Sequence, residues 1–399
     1  MAIKESLVIV GTGWGDYTLL QDIDCTQFNI IISPEQTSPY TPPLVPCGLF
    51  DFTLAEEPVR HTGHPVTYYK ATVEGVEFGQ RICFCRGVDD SGQWTFSVHY
   101  DSLALAPGCV TNTFNTPGAQ EFAYFVRNAP DAKRVQLRMQ QLLELASLPG
   151  VTEEEQRSLL HIALIGDGPT GNDLSTIYPH LKGKMAIAIY DVAHAILGTF
   201  DESLREYAVA SFSRRDVEVY TDVKIQEVAS GRIIVKGQGD IGCGMAIWVT
   251  GNKQCPLVTN LGVAKTGRPP RILTDQCLRV LSDDKEIVPG VFALGDAADI
   301  ECGTLPTTAE VAVQKAKYLA TALNKHDLDT PFEYRQKTLV AYIGGHDGVV
   351  QGKTGWSGTR AWAAWRSKNL FWTRSWRRKI MIMANWFLGW LDGREIARA

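Results

Sequence analysis

Two glycine-rich turns, each entered from an apolar strand, and a late apolar strand ending in Gly295-Asp296 predict an α/β protein. The expected architecture is two Rossmann-like nucleotide-binding domains, one inserted into the other, plus a C-terminal amphipathic helical segment. The expected boundaries are 1–127 with 272–330 for the outer domain, 128–271 for the inserted domain and 331–399 for a membrane-association or interface region.

The first turn stands in LVIVGTGWGDYTLLQ, residues 7 to 21. An apolar strand runs into Gly11-x-Gly13, followed by Gly15, but Asp16 occupies the place where a phosphate-binding fingerprint has its third glycine. A carboxylate in the first turn of a helix suits the helix dipole. The missing glycine normally lets helix and strand pack closely, so the helix is expected to be displaced slightly while the dinucleotide still binds. FNIIIS (28 to 33) is the second strand and ends in Ser33, followed by Pro34, rather than in an acid. The competing reading, a plain tight turn, is disfavoured by the matching strand far downstream. YDSLALAPG (100 to 108) is a further strand, closed by Pro107 and Gly108, of the kind that leads out of such a domain.

The second turn stands in LLHIALIGDGPTGNDLSTIY, residues 159 to 178. Gly166, Gly168 and Gly171 complete G-x-G-x-x-G between a strand and a predicted helix, so a diphosphate can approach the helix N-terminus. MAIAIYD (185 to 191) is the next strand, and its terminal Asp191 is placed to accept from a ribose 2′-hydroxyl and to repel a 2′-phosphate. That favours NADH over NADPH. MAIWVTG (245 to 251) ends in Thr250 and Gly251 and leads the chain back. IVPGVFALGDAAD (287 to 299) then supplies Gly295 and Asp296, which two-nucleotide flavoproteins use against the flavin's ribityl and phosphate region. The order predicts FAD in the outer domain and NADH in the inserted one. The expected cofactor contacts are Gly11, Thr12, Gly13, Trp14, Gly15, Ser33, Pro34, Pro107, Gly108, Gly166, Gly168, Pro169, Thr170, Gly171, Asp191, Thr250, Gly251, Gly295, Asp296, Thr308 and Ala309.

Composition narrows the class. With 399 residues, 45% hydrophobic and 21% charged, the chain is that of an ordinary folded protein of two or three domains. A net charge of −5 argues against a general nucleic-acid binder. Residues 351 to 399 nevertheless carry ten basic and two acidic residues. The nine cysteines show no CxxC, which excludes the paired-cysteine chemistry of disulfide-reducing flavoproteins, and no metal site is expected. The odd count, and a first strand that begins almost at Met1 without a signal sequence, predict an intracellular protein with reduced thiols. No uncharged apolar run of 18 residues is present.

Seven of the ten tryptophans lie between 356 and 390. On a single helix at about 100° per residue, Trp362, Trp365, Trp372, Trp376, Met383 and Trp390 share roughly one quadrant, with Arg366, Arg374, Arg377 and Arg378 elsewhere. Tryptophan with arginine suits the membrane–water boundary. The alternatives are packing on the protein's own core and a homodimer interface.

These residues resemble the type II, non-proton-pumping NADH:quinone oxidoreductases over nearly the whole chain. GTGWG, SPYTPPLVP, EEPVR, NTFNTPGAQEFAYF, EEQRSLLHIALIGDGPTG, FALGDAAD, LPTTAEVA, LVAYIGG and WRSKNLFWTRSWRRK stand in the family's order. The resemblance implies a peripheral membrane flavoenzyme that passes hydride from NADH to FAD and electrons on to a quinone, its tail lying on a bilayer. With no transit peptide visible, an intracellular, cytosolic-facing membrane is expected rather than the mitochondrial matrix.

The departures fall on the cofactor and acceptor sites. The family normally has glycine at Asp16 and Asp167. After its GPTG motif comes a hydrophobic residue and a glutamate tied to proton transfer; here Asn172 and Asp173 follow, and Asp173 keeps the carboxyl on a shorter arm. Its quinone-site helix reads alanine-glutamine, three residues, then two glutamines; here Ala309-Glu310 and Gln314-Lys315 keep one of the three. The resemblance therefore makes Asp173, Glu310 and Gln314 the catalytic candidates. Two other functions stay open: a diverged member acting on a dedicated small metabolite, as an oxidase or non-redox flavoenzyme, and a slow nucleotide-binding redox sensor.

Overall fold

The computed structural model describes residues 4–11, 13–33, 59, 65–88, 94–166, 185–267, 269–344, 346–352 and 354–391. Contacts divide the chain into two compact units. The first takes its described residues from Met1–Pro39, Pro58–Val110 and Asn252–Arg335, the second from Thr111–Gly251 and Gln336–Ala399. The chain thus leaves the first unit, builds the second and returns. The described residues from Gln336 onward fall in the second unit.

In the first unit the strand Glu5–Val10 runs between Phe28–Ser33 and Ser102–Leu105, parallel to both. The eight-stranded sheet continues through Val66–Tyr68 on one side and Ile287–Ala293, Arg279–Leu281, Ile272–Thr274 and Ala298–Ile300 on the other. Parallel strands covered on both faces need apolar residues throughout, and Leu7 to Val10 are all buried. The period of two divides them. Leu7 and Ile9 pack with Leu19 and Leu20 of the helix Trp14–Asp22 and with Leu319 and Leu323 of the helix Ala309–Lys325. Val8 and Val10 face the opposite way, toward Val73, Cys83 and Cys85 of a three-stranded antiparallel layer, Ala71–Glu77, Ile82–Gly87 and Thr95–His99.

The second unit repeats the pattern with five parallel strands in the order Val217–Tyr220, Ala186–Tyr190, His161–Ile165, Met245–Trp248, Tyr124–Phe125. Ile162 and Leu164 pack on the helices Ala129–Ala146 and Glu202–Ser213 through Met139, Leu142, Ala208 and Phe212. Ala163 and Ile165 face an antiparallel meander, Ile225–Ala229, Arg232–Val235 and Gly239–Gly242. Asn128 caps the Ala129–Ala146 helix by accepting the Asp131 N–H at 2.8 Å.

The C-terminal segment corrects the single-helix expectation. Trp356 lies in a short strand, Trp356–Ser357, which closes a sheet with Leu339–Gly344 and Asp347–Gln351. Two helices follow, Thr359–Trp372 and Trp376–Leu391, broken at 373–375 where Thr373 is buried. The tryptophans therefore do not share one face. Trp365 is buried, its ring stacked on Tyr342 with centroids 4.7 Å apart, and Trp386 packs against the core cluster that contains Ala341, Ile343 and Val349. The Arg366 guanidinium lies 4.3 Å from the ring centroids of both Trp362 and Trp386, a cation–π contact that joins the two helices. The outward apolar face keeps Trp376 and Met383 of the expected set and adds Ile380 and Phe387; these four, spaced at helical turns, are 47 to 69% exposed.

Candidate functional site: two dinucleotide cradles

Each parallel sheet gathers its glycine turn and its partner residues at the carboxyl ends of adjacent strands, which is where open α/β sheets bind ligands. In the first unit Gly11 follows Glu5–Val10, Ser33 ends Phe28–Ser33, Pro107 and Gly108 follow Ser102–Leu105, and Gly295 and Asp296 follow Ile287–Ala293. These four strands are consecutive neighbours in the sheet. At Gly11, with φ +132°, a Cβ would lie 2.4 Å from the Ala106 carbonyl oxygen, so only glycine fits. A Cβ at Gly15 would already meet the Leu294 side chain at 2.8 Å, which shows how tightly the Trp14–Asp22 helix is seated. Trp14 is half-buried at its start and Gly13 is exposed at its N-cap. Thr12 and Pro34 lie outside the described residues.

Asp16 answers the question its sequence position raises. It is fully buried, and its Oδ2 accepts the N–H of Gly13 at 3.0 Å, so the acid reaches back to cap its own helix. The same oxygen lies 2.6 Å from where a Cβ on Gly11 would stand, which puts the carboxyl inside the turn. Oδ1 has no hydrogen-bond partner among the described residues. Burial pushes the carboxyl well above the ordinary Asp value, and the hydrogen bonds from Gly13 and from its own N–H only partly oppose this.

Around Asp296 the structure assembles contacts that sequence spacing does not reveal. The Cys109 thiol donates to Asp296 Oδ2 at 3.5 Å, and Gln254 Nε2 donates to the Asp296 carbonyl at 3.4 Å. Beneath them lies a buried charge cluster. Asp299 accepts from Arg271 at 3.3 Å and from the backbone N–H groups of Ile300 and Leu305, while Lys315, 1% exposed, donates to the Ala298 carbonyl at 3.2 Å. Burial lowers the Lys315 ammonium to about 8, opposed by the charge of Asp299. The sequence shows Lys315 only as a departure from a glutamine.

Thr308 caps the Ala309–Lys325 helix, its hydroxyl accepting the Val311 N–H at 3.4 Å. Glu310 and Gln314, one turn apart, are brought together: Gln314 Nε2 donates to Glu310 Oε1 at 2.9 Å and to the Arg335 carbonyl at 3.0 Å, and Gln314 Oε1 accepts the Arg335 N–H at 3.2 Å. Gln314 thus clamps the chain at Arg335 and holds the Glu310 carboxyl.

In the second unit Gly166 follows His161–Ile165 with φ +105°, where a Cβ would lie 2.3 Å from the Thr250 Cβ. Thr250 and Gly251 follow Met245–Trp248, and the Trp248 indole N–H donates to the Thr250 carbonyl at 3.0 Å and the Asn112 carbonyl at 3.2 Å, bracing that turn. Asp191 follows Ala186–Tyr190. It is 8% exposed, and its Oδ1 accepts the Ala193 N–H at 2.7 Å, which fixes the carboxylate at the strand end. Gly168, Pro169, Thr170, Gly171 and the catalytic candidate Asp173, with Asp167, lie outside the described residues.

Two glycine cradles on two parallel sheets define an oxidoreductase of the two-dinucleotide class, and the strand-end residues fit FAD in the first unit and NADH in the second. The chain belongs to the pyridine nucleotide-disulphide oxidoreductase family, whose model matches residues 5–316, and within it to the type II NADH:quinone oxidoreductases, as a diverged member. It is 30% identical to the mitochondrial internal alternative NAD(P)H-ubiquinone oxidoreductase A1 of Solanum tuberosum, with 99% of this chain and 88% of the relative covered. The corresponding A1 protein of Arabidopsis thaliana is 28% identical, with 99% and 86% covered. Among solved structures, NDH2 from Plasmodium falciparum in complex with NADH has the same fold, with a TM-score of 0.90 at 20% identity and 99% and 100% of the two chains covered. The sulfide:quinone oxidoreductase of Aquifex aeolicus shares it at a TM-score of 0.71 and 14% identity, with 98% and 96% covered.

Proposed function

We propose that the protein is an FAD-dependent oxidoreductase that takes hydride from NADH and delivers electrons to a quinone or quinone-like acceptor. The observation that carries this reading is the pair of cradles, each at the carboxyl ends of a parallel sheet, with Asp191 closing the second strand of the second. FAD supplies the hydride-accepting and electron-donating chemistry when bound. The chain's own residues do the rest. Gly11, Gly13 and Gly15 bring backbone close to the flavin's diphosphate, and Asp296 faces its ribityl region. Gly166 with Thr250 and Gly251 leaves room for the NADH diphosphate, and Asp191 accepts from the ribose hydroxyls. Glu310, held by Gln314, belongs to the acceptor side, and Asp173 is the proton relay for the reduced acceptor. The ubiquinone in the relatives' names supports a quinone as the acceptor.

The second part of the reading is a peripheral, intracellular membrane location. No helix among the described residues is long and apolar enough to cross a membrane. The outward stripe Trp376, Ile380, Met383 and Phe387, flanked by the exposed Arg374 and Arg377, supports attachment to a bilayer surface. The relatives named above are mitochondrial; for this chain a cytosolic-facing membrane remains the proposal. A homodimer is the competing occupant of that stripe. Anaerobic mixing with NADH, followed by a panel of quinones, tests the function. Loss of the flavin's visible absorbance and its return with a quinone is expected. Unchanged absorbance points to a binding protein, and reoxidation by none of the quinones points to a dedicated metabolite.

A further inference from the structure

The Asp16 carboxyl stands inside the turn that the family builds from glycine. Its Oδ2 takes the Gly13 N–H at 3.0 Å and lies against the Gly11 backbone. Gly13 is the exposed N-cap of the Trp14–Asp22 helix, and its amide is thereby committed to a side chain rather than left for a ligand. Oδ1 is fully buried, with no partner among the described residues. A neutral acid there carries a proton for which the described residues supply no acceptor; a carboxylate there adds a negative charge beside any anion brought to the turn.

We propose that Asp16 is a proton-linked affinity residue of the first dinucleotide site, admitting the flavin's diphosphate as the neutral acid and repelling it as the carboxylate. The inference rests on the reading that this unit holds FAD. The diphosphate bridge of FAD keeps its charge across the neutral range, so the protein's own group is the one that titrates. Elements packed around the turn carry other ionisable groups: Cys109 and Asp296 at neighbouring strand ends, and Glu310 and Lys315 on the Ala309–Lys325 helix. Burial is what raises the Asp16 carboxyl, opposed by the backbone N–H groups of Gly13 and of Asp16 itself. The family's glycine at this position has no side chain and imposes no such linkage.

The test measures FAD affinity of the full-length apoprotein, by flavin fluorescence, from pH 5.5 to 9 at constant ionic strength. The variants are Asp16→Asn, which keeps the shape without the charge, and Asp16→Gly, which restores the family's residue. Thermal unfolding checks that each is folded. The wild type is expected to lose affinity with rising pH, approaching tenfold per pH unit once the carboxyl ionises, while both variants stay nearly flat and bind more tightly at pH 9. A flat wild-type profile with FAD bound overturns the inference and leaves the flavin reading intact. The same slope in Asp16→Asn also overturns it, because the titrating group is then another. Failure of all three folded proteins to bind FAD overturns the flavin reading and this inference with it.

Discussion

Asp16 reaches back three residues to accept the Gly13 N–H at 3.0 Å, filling the interior of the first phosphate turn with a buried carboxyl. One residue change thus joins three properties that a glycine would leave separate: helix capping, turn packing and titration.

A stability signature follows from that burial. The folded carboxyl holds its proton above the ordinary 3.8, where the unfolded chain releases it. Stability is therefore greatest at low pH on this account and falls as pH rises from about 4 toward the raised value. Asp16→Asn should match the wild type near pH 4 and exceed it by about 1–3 kcal/mol near pH 8. Denaturant titrations at the two pH values measure the difference, and a variant less stable at both would contradict it.

Lys315 carries the opposite linkage. Its folded value, about 8, lies below the ordinary 10.5. The cost of burying the ammonium is fully present below about 8 and fades as pH rises from there toward 10.5, because the unfolded chain then binds the extra proton. With Asp299 still paired to Arg271, Lys315→Met should relieve up to about 3 kcal/mol of burial cost at pH 7, with the gap narrowing by pH 10. Equal or lower stability of the variant at pH 7 would mean that the pairing with Asp299 outweighs the burial.

The role proposed for Asp191 is the choice of nicotinamide nucleotide. Its carboxylate, held by the Ala193 N–H, stands where a ribose 2′-phosphate would bring like charge. Efficiency of flavin reduction should favour NADH in the wild type, and Asp191→Ser should narrow the ratio by about tenfold or more. A wild type that prefers NADPH excludes this role.

Asp173→Asn should slow turnover with the acceptor by about 100-fold while flavin reduction by NADH stays near wild type. Rapid-mixing measurements of the two half-reactions separate them, and unchanged rates in both would remove Asp173 from proton transfer.

Membrane binding is best tested without removing the tail, because Trp365 and Trp386 are built into the second unit's core. Trp376→Ser with Phe387→Ser changes only exposed side chains. Binding of the wild type to anionic vesicles should weaken at high salt without vanishing, since arginines contribute about 1 kcal/mol each near the headgroups and apolar burial is not screened. The double variant should lose most of the salt-resistant part. Equal binding by both proteins would leave the stripe to a second copy of the chain, which sedimentation would reveal.

The sequence by itself determined the two glycine turns, each entered from an apolar strand, and the acid Asp191 at the end of Ala186–Tyr190. Each is a local matter: a run such as LVIV dictates a buried parallel strand, and Gly11 or Gly166 follows because a positive φ and a close backbone approach exclude any side chain. Only the tertiary structure decided what Asp16 does, because full burial inside the turn, with its carboxyl on the Gly13 N–H, cannot be read from the chain. The same holds for the Arg271, Asp299 and Lys315 cluster, for the clamp of Gln314 on Arg335 and for the tail. There a helical wheel takes one unbroken helix, whereas the break at 373–375 separates two, with Trp365 buried on Tyr342 and Trp376 exposed. Periodicity tells which residues share a face of one element; which face is buried depends on the partner that the rest of the chain brings to it.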